Sequence, residues 1–208
     1  YQLYISGWHQ GRDKKFRIVG PKGTKEFFQN MLKAFKNELQ GRVQWEQRPN
    51  KGGLDYEITE INSDYAYKNL HLEIIPFEVD HYPVEPAYGY QIKVSDTEME
   101  KKVVISGDTK KNENLINHAM DADALVHEVF INLEFDENRM SKKTISNVRD
   151  YHTSPKEIGE IAKAANVKKL ILTHFVPPVF DEDFLTKEIR ESYKGNVIIG
   201  EDLLTIEI

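Results

Sequence analysis

The stretch that decides the fold is Lys-Val-Val-Ile-Ser-Gly-Asp-Thr, residues 102–109. Its unbroken Val-Val-Ile run is typical of a strand that other layers of a domain cover on both faces. A carboxylate, Asp108, follows the strand after Ser106 and Gly107. The stretch therefore predicts a buried strand that delivers an acidic side chain to the edge of a sheet.

Helical and strand patterns alternate in the chain that follows. We predict helices over 112–120, 155–165 and 182–193, and strands over 124–126, 169–172, 197–199 and 203–206. Alternation of this kind indicates an α/β domain built from packed layers.

The chain before residue 102 has more strand character. We predict a short strand over 16–19, a helix over 24–39, and strands over 42–45, 56–61, 70–77 and 88–94 in a meander-like section that the strand at 102–105 continues. That helix carries apolar side chains at helical spacing, which indicates a buried face rather than a binding site. No repeat, low-complexity tract or linker interrupts the sequence, so we expect a single domain over residues 1–208.

The helix from residue 155 has the best-defined start. Ser154 can cap it, Pro155 suits its first position, and Glu157 completes a capping box. Residues 151–153, Tyr-His-Thr, therefore lie in the loop just before a helix N-terminus, where backbone amides favour an anionic ligand.

Composition excludes several classes of protein. The formal charge is -6, with 34 acidic against 28 basic residues, which argues against a polyanion-binding surface. The chain has no cysteine, so disulfides and thiolate zinc sites are excluded. No apolar run approaches the roughly 20 residues needed to cross a bilayer. We expect a soluble, cytoplasmic protein that does not bind a membrane.

Polar side chains stand where predicted strands end. They are His81, Asp108, the pair His127 and Glu128, and His174. A single histidine in such a place is usually a hydrogen-bonded core or rim residue. Four successive strand ends with these side chains favour a ligand site, because imidazoles and carboxylates bind Zn(II), Mn(II) or Fe(II).

Short motifs also follow one another in the order and spacing of a known family. They are Val-Asp-His (79–81), Pro-Ala-Tyr-Gly-Tyr (86–90), Ser-Gly-Asp-Thr (106–109), Val-His-Glu (126–128), His-Thr-Ser (152–154) and Leu-Thr-His-Phe (172–175). This series resembles the ribonuclease Z and arylsulfatase-like branch of the metallo-β-lactamase superfamily. The resemblance implies the C-terminal two-thirds of an αββα sandwich, incomplete at its N-terminus.

The resemblance also implies roles for individual residues. His81 would bind the first of two divalent ions, Asp108 would bridge both, and His174 would bind the second. His152, oriented by Glu128, would protonate the leaving group. Zn(II) is the ion we expect, with Mn(II) and Fe(II) as alternatives.

Other ligands of that family come from a His-x-His-x-Asp-His motif, and no such string occurs here. We consider, in this order, that the chain is part of a longer protein, that another chain supplies the motif, or that the metals have been lost.

Three functions stay open at this point. The first is a binuclear metal-dependent hydrolase of a small ester or phosphodiester, which we expect to be active when complete and inactive as this chain alone. The second is a transfer-RNA 3'-processing endonuclease, which the short polar hairpin at 95–101 disfavours, because ribonuclease Z enzymes carry a long arm there that grips transfer RNA. The third is a non-catalytic scaffold subunit. A homodimer is compatible with the resemblance.

Overall fold

The computed structural model describes residues 1–61, 65–95, 99–131 and 140–208. Its backbone divides the chain into two compact units, Tyr1–Asp64 and Tyr65–Ile208, and each is described by itself. The single domain expected from the sequence stays a prediction.

The first unit contains three α-helices and two strands. They are α1 (Gln2–His9), β1 (Phe16–Gly20), α2 (Thr24–Ala34), α3 (Lys36–Glu46), a short 3-10 helix (Lys51–Leu54) and β2 (Tyr56–Glu60). β1 and β2 pair in parallel, with Phe16 opposite Tyr56. The predicted meander is therefore wrong for the strand at 56–61, because residues 56–60 pair in parallel with β1. Its later strands, over 72–79, 87–95 and 100–105, pair antiparallel in chain order as predicted.

The strand predicted over 42–45 is also wrong, since these residues belong to α3. Arg42 pairs with Glu38 and Glu46, each four residues away, and such pairs support a helix. Val43 and Trp45 suggested a strand, but neither side chain is buried: Val43 is 44% exposed and Trp45 is 89% exposed. The helix predicted over 24–39 is interrupted at Phe35, which ends α2 and precedes α3.

The second unit contains a seven-stranded sheet and four helices. Its elements are β3 (Tyr67–Lys68), β4 (Leu72–Val79), β5 (Ala87–Ser95), β6 (Glu100–Ile105), α4 (Glu113–Ala119), β7 (Ala124–Phe130), α5 (Lys142–Arg149), α6 (Pro155–Ala164), β8 (Lys169–Val176), α7 (Glu182–Arg190) and β9 (Asn196–Ile199). The strands lie side by side in chain order from β3 to β9. The predicted α/β class is confirmed.

The direction of the strands changes at β6. Pairing is antiparallel from β3 to β6 and parallel from β6 to β9. Since parallel strands end at the same edge of a sheet, residues that follow β6 and lie late in β7 and β8 are brought together. This edge is where the sequence predicts the site.

One face of the sheet forms the main core with α4, α6 and α7. Leu125, Leu170 and Leu172 from the strands are fully buried there with Ile158 of α6 and Ile189 of α7. A Cβ atom at Gly159 would meet the Ile189 carbonyl oxygen at 2.4 Å, so glycine allows α6 and α7 to pack closely. The core therefore fixes the parallel strands through one face of the sheet.

Several boundaries differ from the sequence predictions. The strand predicted over 203–206 is wrong: these residues form no strand, and Leu203 has a left-handed φ of 68° that an extended chain does not adopt. Helices α1 and α5 and the short strand β3 were not predicted. Ser95 pairs with Glu100 as the predicted hairpin requires, but residues 96–98 lie outside the described residues.

Within the described residues, no helix combines the length and apolar character needed to span a membrane.

Candidate metal centre

Five side chains predicted from the sequence meet at one edge of the second unit. His81 follows β4, Asp108 follows β6, Glu128 lies in β7, His152 precedes α6, and His174 lies in β8. The ring of His152 lies 5.1 Å from that of His81 and 5.7 Å from that of His174. The structure therefore brings the predicted residues together, while their individual roles stay predictions.

His174 owes its position to a bulge in the sheet. Thr173 pairs with Glu128 and Phe175 pairs with Val129, so His174 is an extra residue between the two pairs. Its φ of 47° is left-handed, which is uncommon for a residue with a side chain. Bulges of this kind redirect a side chain out of the regular alternation of a strand. The imidazole is 47% exposed and can be reached by a ligand.

Asp108 is presented by a turn that requires glycine. Gly107 has a φ of 63°, and a Cβ atom there would lie 2.6 Å from the Tyr88 carbonyl oxygen. Asp108 Oδ2 lies 3.5 Å from His174 Nε2. Two ligands about 2.1 Å from one tetrahedral ion are about 3.4 Å apart. The observed separation therefore fits a shared divalent ion.

His81 is held in the tautomer that suits a metal ligand. Its Nδ1 lies 3.0 Å from the carbonyl oxygen of Tyr151. A carbonyl only accepts hydrogen bonds, so Nδ1 carries the proton and donates it. The lone pair of Nε2 is therefore free, and metal-binding histidines commonly donate their other N–H to a carbonyl in this way.

Glu128 and His152 form a buried pair. His152 Nδ1 lies 3.0 Å from Glu128 Oε1, a contact that lacks hydrogen-bond geometry. The same Oε1 accepts hydrogen bonds from the backbone N–H groups of Thr109 (3.2 Å) and Thr153 (3.1 Å). Glu128 Oε2 is buried and makes no hydrogen bond within the described residues. Such orphaned polar atoms are costly in a core and indicate a polar or ionic group beside them.

A second set of donors overlaps the predicted one. Glu128, His152 and His174 each offer a ligand atom, and these atoms lie within 4.8 Å of one another. His174 belongs to both sets. Imidazole and carboxylate donors converge here in either case, so the residues fit a divalent metal ion, and a candidate metal site exists.

The other histidines have different surroundings. His127 is fully buried, its Nδ1 donates to the Glu128 carbonyl oxygen at 2.6 Å, and burial lowers its pKa. His118 stacks on Phe77 with ring centroids 4.2 Å apart, and burial lowers its pKa as well. These contacts indicate a packing role for both histidines.

A cavity of about 380 Å³ opens beside His174. Its lining mixes apolar and polar residues from β7, β8 and the chain after β9: Val126, Ile171, Leu172, Thr173, Phe175, Gly200, Glu201, Asp202, Leu204 and Ile206. Asp202 lies in this lining. The cavity offers room for a substrate group next to the candidate metal site.

Sequence reasoning did not identify the residues that hold the site together. Thr109, the Tyr151 carbonyl and Thr153 all bond to site segments. Their position directly beside Asp108 and His152 in the chain was the only available signal. A hydroxyl or carbonyl next to a ligand is too common a feature to predict such a role.

Comparison with known proteins supports the same family. The beta-lactamase superfamily domain matches residues 8–175. Ribonuclease Z of Mycobacterium bovis (strain BCG / Pasteur 1173P2) is 30% identical over 194 residues, covering 92% of this chain and 66% of that protein. The chain thus spans about two thirds of the length of this curated relative.

Two solved structures share the fold. The metallo-beta-lactamase fold protein YhfI from Bacillus subtilis aligns with a TM-score of 0.63 at 20% identity, covering 96% of this chain and 67% of that one. Human tRNase Z, short form, aligns with a TM-score of 0.53 at 19% identity, covering 94% and 68%. At such identities the structures support the fold alone. With the family match over most of its length, the chain belongs to the metallo-β-lactamase superfamily, in its ribonuclease Z-like branch.

Proposed function

We propose that the protein is a metal-dependent hydrolase that cleaves an ester or phosphodiester bond. The observation that carries the proposal is the 3.5 Å separation of His174 Nε2 and Asp108 Oδ2 at the ends of parallel strands. Both groups are partly exposed beside a cavity, where a structural ion pair would gain little stability. A metal site explains why a bulge and a glycine turn aim them at each other.

His81, Asp108 and His174 would hold two divalent ions, with Zn(II) as the expected metal and Mn(II) or Fe(II) as alternatives. When bound, such ions activate water for attack and stabilise negative charge on the substrate. Three side chains cannot complete two coordination shells, so further donors are needed.

In the reaction, His152 would handle a proton. Glu128 Oε1 lies 3.0 Å from its Nδ1, and a hydrogen bond between the two would orient the ring and leave Nε2 to exchange a proton with the leaving group. Because Glu128 is 2% exposed and fixed by two backbone N–H groups, it cannot rotate away from His152. Glu128 would thus act as the residue that positions the general acid.

The proposed substrate is a small ester or phosphodiester. The cavity beside His174 has room for a small substrate group, and the net charge of -6 disfavours a long polyanion. A ribonuclease Z-type endonuclease acting on transfer RNA is the second candidate, and the 30% identity to Mycobacterium bovis ribonuclease Z favours it. A scaffold without activity is the third.

Three substrates separate these candidates. Purified protein reconstituted with Zn(II) or Mn(II) is assayed on bis-p-nitrophenyl phosphate, p-nitrophenyl sulfate and a precursor transfer RNA. We expect the complete protein to turn over the phosphodiester in a reaction that a chelator abolishes, and the 208-residue chain alone to show little activity. Faster specific cleavage of the precursor RNA would establish the endonuclease instead, and inactivity on all three with no bound metal would favour a scaffold.

We also propose a cytoplasmic location and leave a homodimer open. Both rest on the family resemblance. Cell fractionation tests the location, and sedimentation velocity tests the assembly.

A further inference from the structure

Thr109 lies at the junction of the segments that carry the candidate site. It follows Asp108 directly, and its side chain is fully buried. The residue is polar, although valine would have nearly the same shape. A buried hydroxyl group is costly unless it is hydrogen-bonded, so its partners indicate why it is there.

The hydroxyl group of Thr109 uses its full hydrogen-bonding capacity. It accepts from the Asp80 backbone N–H at 3.2 Å and from Asn112 Nδ2 at 3.0 Å. Its single proton has two carbonyl oxygens within reach, those of Asp80 at 3.1 Å and Lys110 at 2.8 Å. One donor and two acceptor sites are all that a hydroxyl has. The group therefore joins the segment of Asp80 to the segment of Asp108.

The backbone of Thr109 reaches the other half of the site. Its N–H donates to Glu128 Oε1 at 3.2 Å, and its carbonyl oxygen accepts from Thr153 Oγ1 at 2.5 Å. Asp80 precedes His81, and Thr153 follows His152. One residue thus contacts the neighbours of His81, Asp108 and His152 and contacts Glu128 itself.

We propose that Thr109 is a positioning residue whose hydroxyl group sets the place of His81 relative to Asp108. The inference rests on the proposed function, since it concerns ligands of the same metal site. The adjacent Lys110 supports the same junction: its N–H donates to the Asp80 carbonyl oxygen at 2.9 Å, and its Nζ lies 3.0 Å from Asp80 Oδ2. Unlike Thr109, Lys110 has an exposed side chain whose ion pair is screened by water.

Substitutions at residue 109 separate positioning from packing. Thr109→Val keeps the shape and removes the hydroxyl, whereas Thr109→Ser keeps the hydroxyl and removes a methyl group. We expect T109V to weaken Mn(II) and Zn(II) affinity 10- to 100-fold, as loss of a residue supporting a ligand does. We expect T109S to stay within about threefold of the wild type. If Thr109 acted only through packing, T109V would keep the wild-type metal affinity and T109S would lose more of it.

The assay is calorimetric titration of the metal-free protein, with the urea unfolding curve of each variant as the check on folding. Thr24→Val is the matched control, because Thr24 Oγ1 also donates to a carbonyl oxygen, that of Pro21 at 2.6 Å, in the other unit. If T109V does not fold, T109A against T109S gives the same comparison, since alanine and serine differ by the hydroxyl alone.

A readout without metal distinguishes failure of this inference from failure of the proposed function. Two-bond ¹H–¹⁵N spectra report whether His81 keeps its Nδ1–H donated to Tyr151. We expect this signal to shift or broaden in T109V and to remain in T109S and T24V. Wild-type metal affinity and an unchanged His81 signal in T109V would overturn the positioning role. A wild-type protein that binds no metal would overturn the proposed function. In that case the His81 Nδ1–H signal in T109V would be the test of the positioning role: a shifted or broadened signal would support it, and an unchanged signal would overturn it.

Discussion

Asp123 offers a sharp test of what holds the parallel strands together at the end opposite to the site. Its carboxylate accepts hydrogen bonds from the Lys102 backbone N–H at 2.8 Å and from Lys168 Nζ at 2.9 Å. Lys102 lies in β6, Asp123 precedes β7, and Lys168 precedes β8. One carboxylate therefore ties the starts of three neighbouring strands.

Asp123→Asn keeps the shape and removes the charge. A hydrogen bond to a buried charge contributes about 1.5–3 kcal/mol. The Lys168 side chain is 67% exposed, so water screens its interaction with Asp123 and reduces what that hydrogen bond adds to stability. We expect D123N to lower the free energy of unfolding by about 1–2 kcal/mol at pH 7, measured from urea unfolding curves at 25 °C.

The effect should depend on pH in a defined direction. Burial alone would raise the pKa of Asp123, but hydrogen bonds from Lys168 and from the Lys102 backbone outweigh it and lower the pKa. A carboxyl whose folded pKa lies below its unfolded value, about 3.9, stabilises the fold above that pH. The stabilisation is lost as the pH falls through the folded pKa. The gap between wild type and D123N should therefore close towards pH 3.

Asp121→Asn is the matched control. Asp121 is exposed, two residues away, and asparagine tolerates its left-handed φ of 56°. We expect D121N to change stability by less than about 0.5 kcal/mol. The reasoning fails if D123N and D121N destabilise equally, or if the D123N gap persists unchanged at pH 3.

Three further predictions concern the site. Asp108→Ala should abolish hydrolysis of any ester by the metal-loaded protein, and retained turnover in the colorimetric assay would refute its place as a ligand. Glu128→Gln should lower kcat by about 10²–10³ with KM nearly unchanged, since His152 loses the carboxylate 3.0 Å away; a KM effect alone would contradict this. Metal analysis of the 208-residue chain should find fewer than two tightly bound ions, because His81, Asp108 and His174 cannot satisfy both, and two ions per chain would show that other donors suffice.

The parallel half of the sheet was predictable because its sequence is consistent at several levels. The run at 103–105 became part of β6, and the capping box at Ser154 and Glu157 starts α6 as predicted. In both cases, residues within or next to the element specify it. The strand predicted over 42–45 failed because Val43 and Trp45 imitate strand alternation, while the ion pairs of Arg42 support a helix.

The candidate site also has features that the sequence predicts and features that it does not. The convergence of the site residues was predictable, because they are ligand-type side chains at strand ends and the ends of parallel strands meet at one edge of a sheet. The bulge at His174 was not readable, since it arises from the mismatch of two strands in the folded sheet. Nor was the Tyr151 carbonyl that fixes the tautomer of His81, because a backbone group leaves no signature in sequence.

The two ends of β8 explain how a strained site is maintained on this fold. A left-handed residue such as His174 costs about 1–3 kcal/mol. In the same strand, Leu170 and Leu172 are fully buried, and each contributes about 1.5–3 kcal/mol through the area it removes from water. These leucines pair in register with β7, whereas His174 lies where the register breaks. Because His174 follows the buried Leu172 by only two positions, the core can fix the direction of the imidazole while leaving it exposed to a ligand.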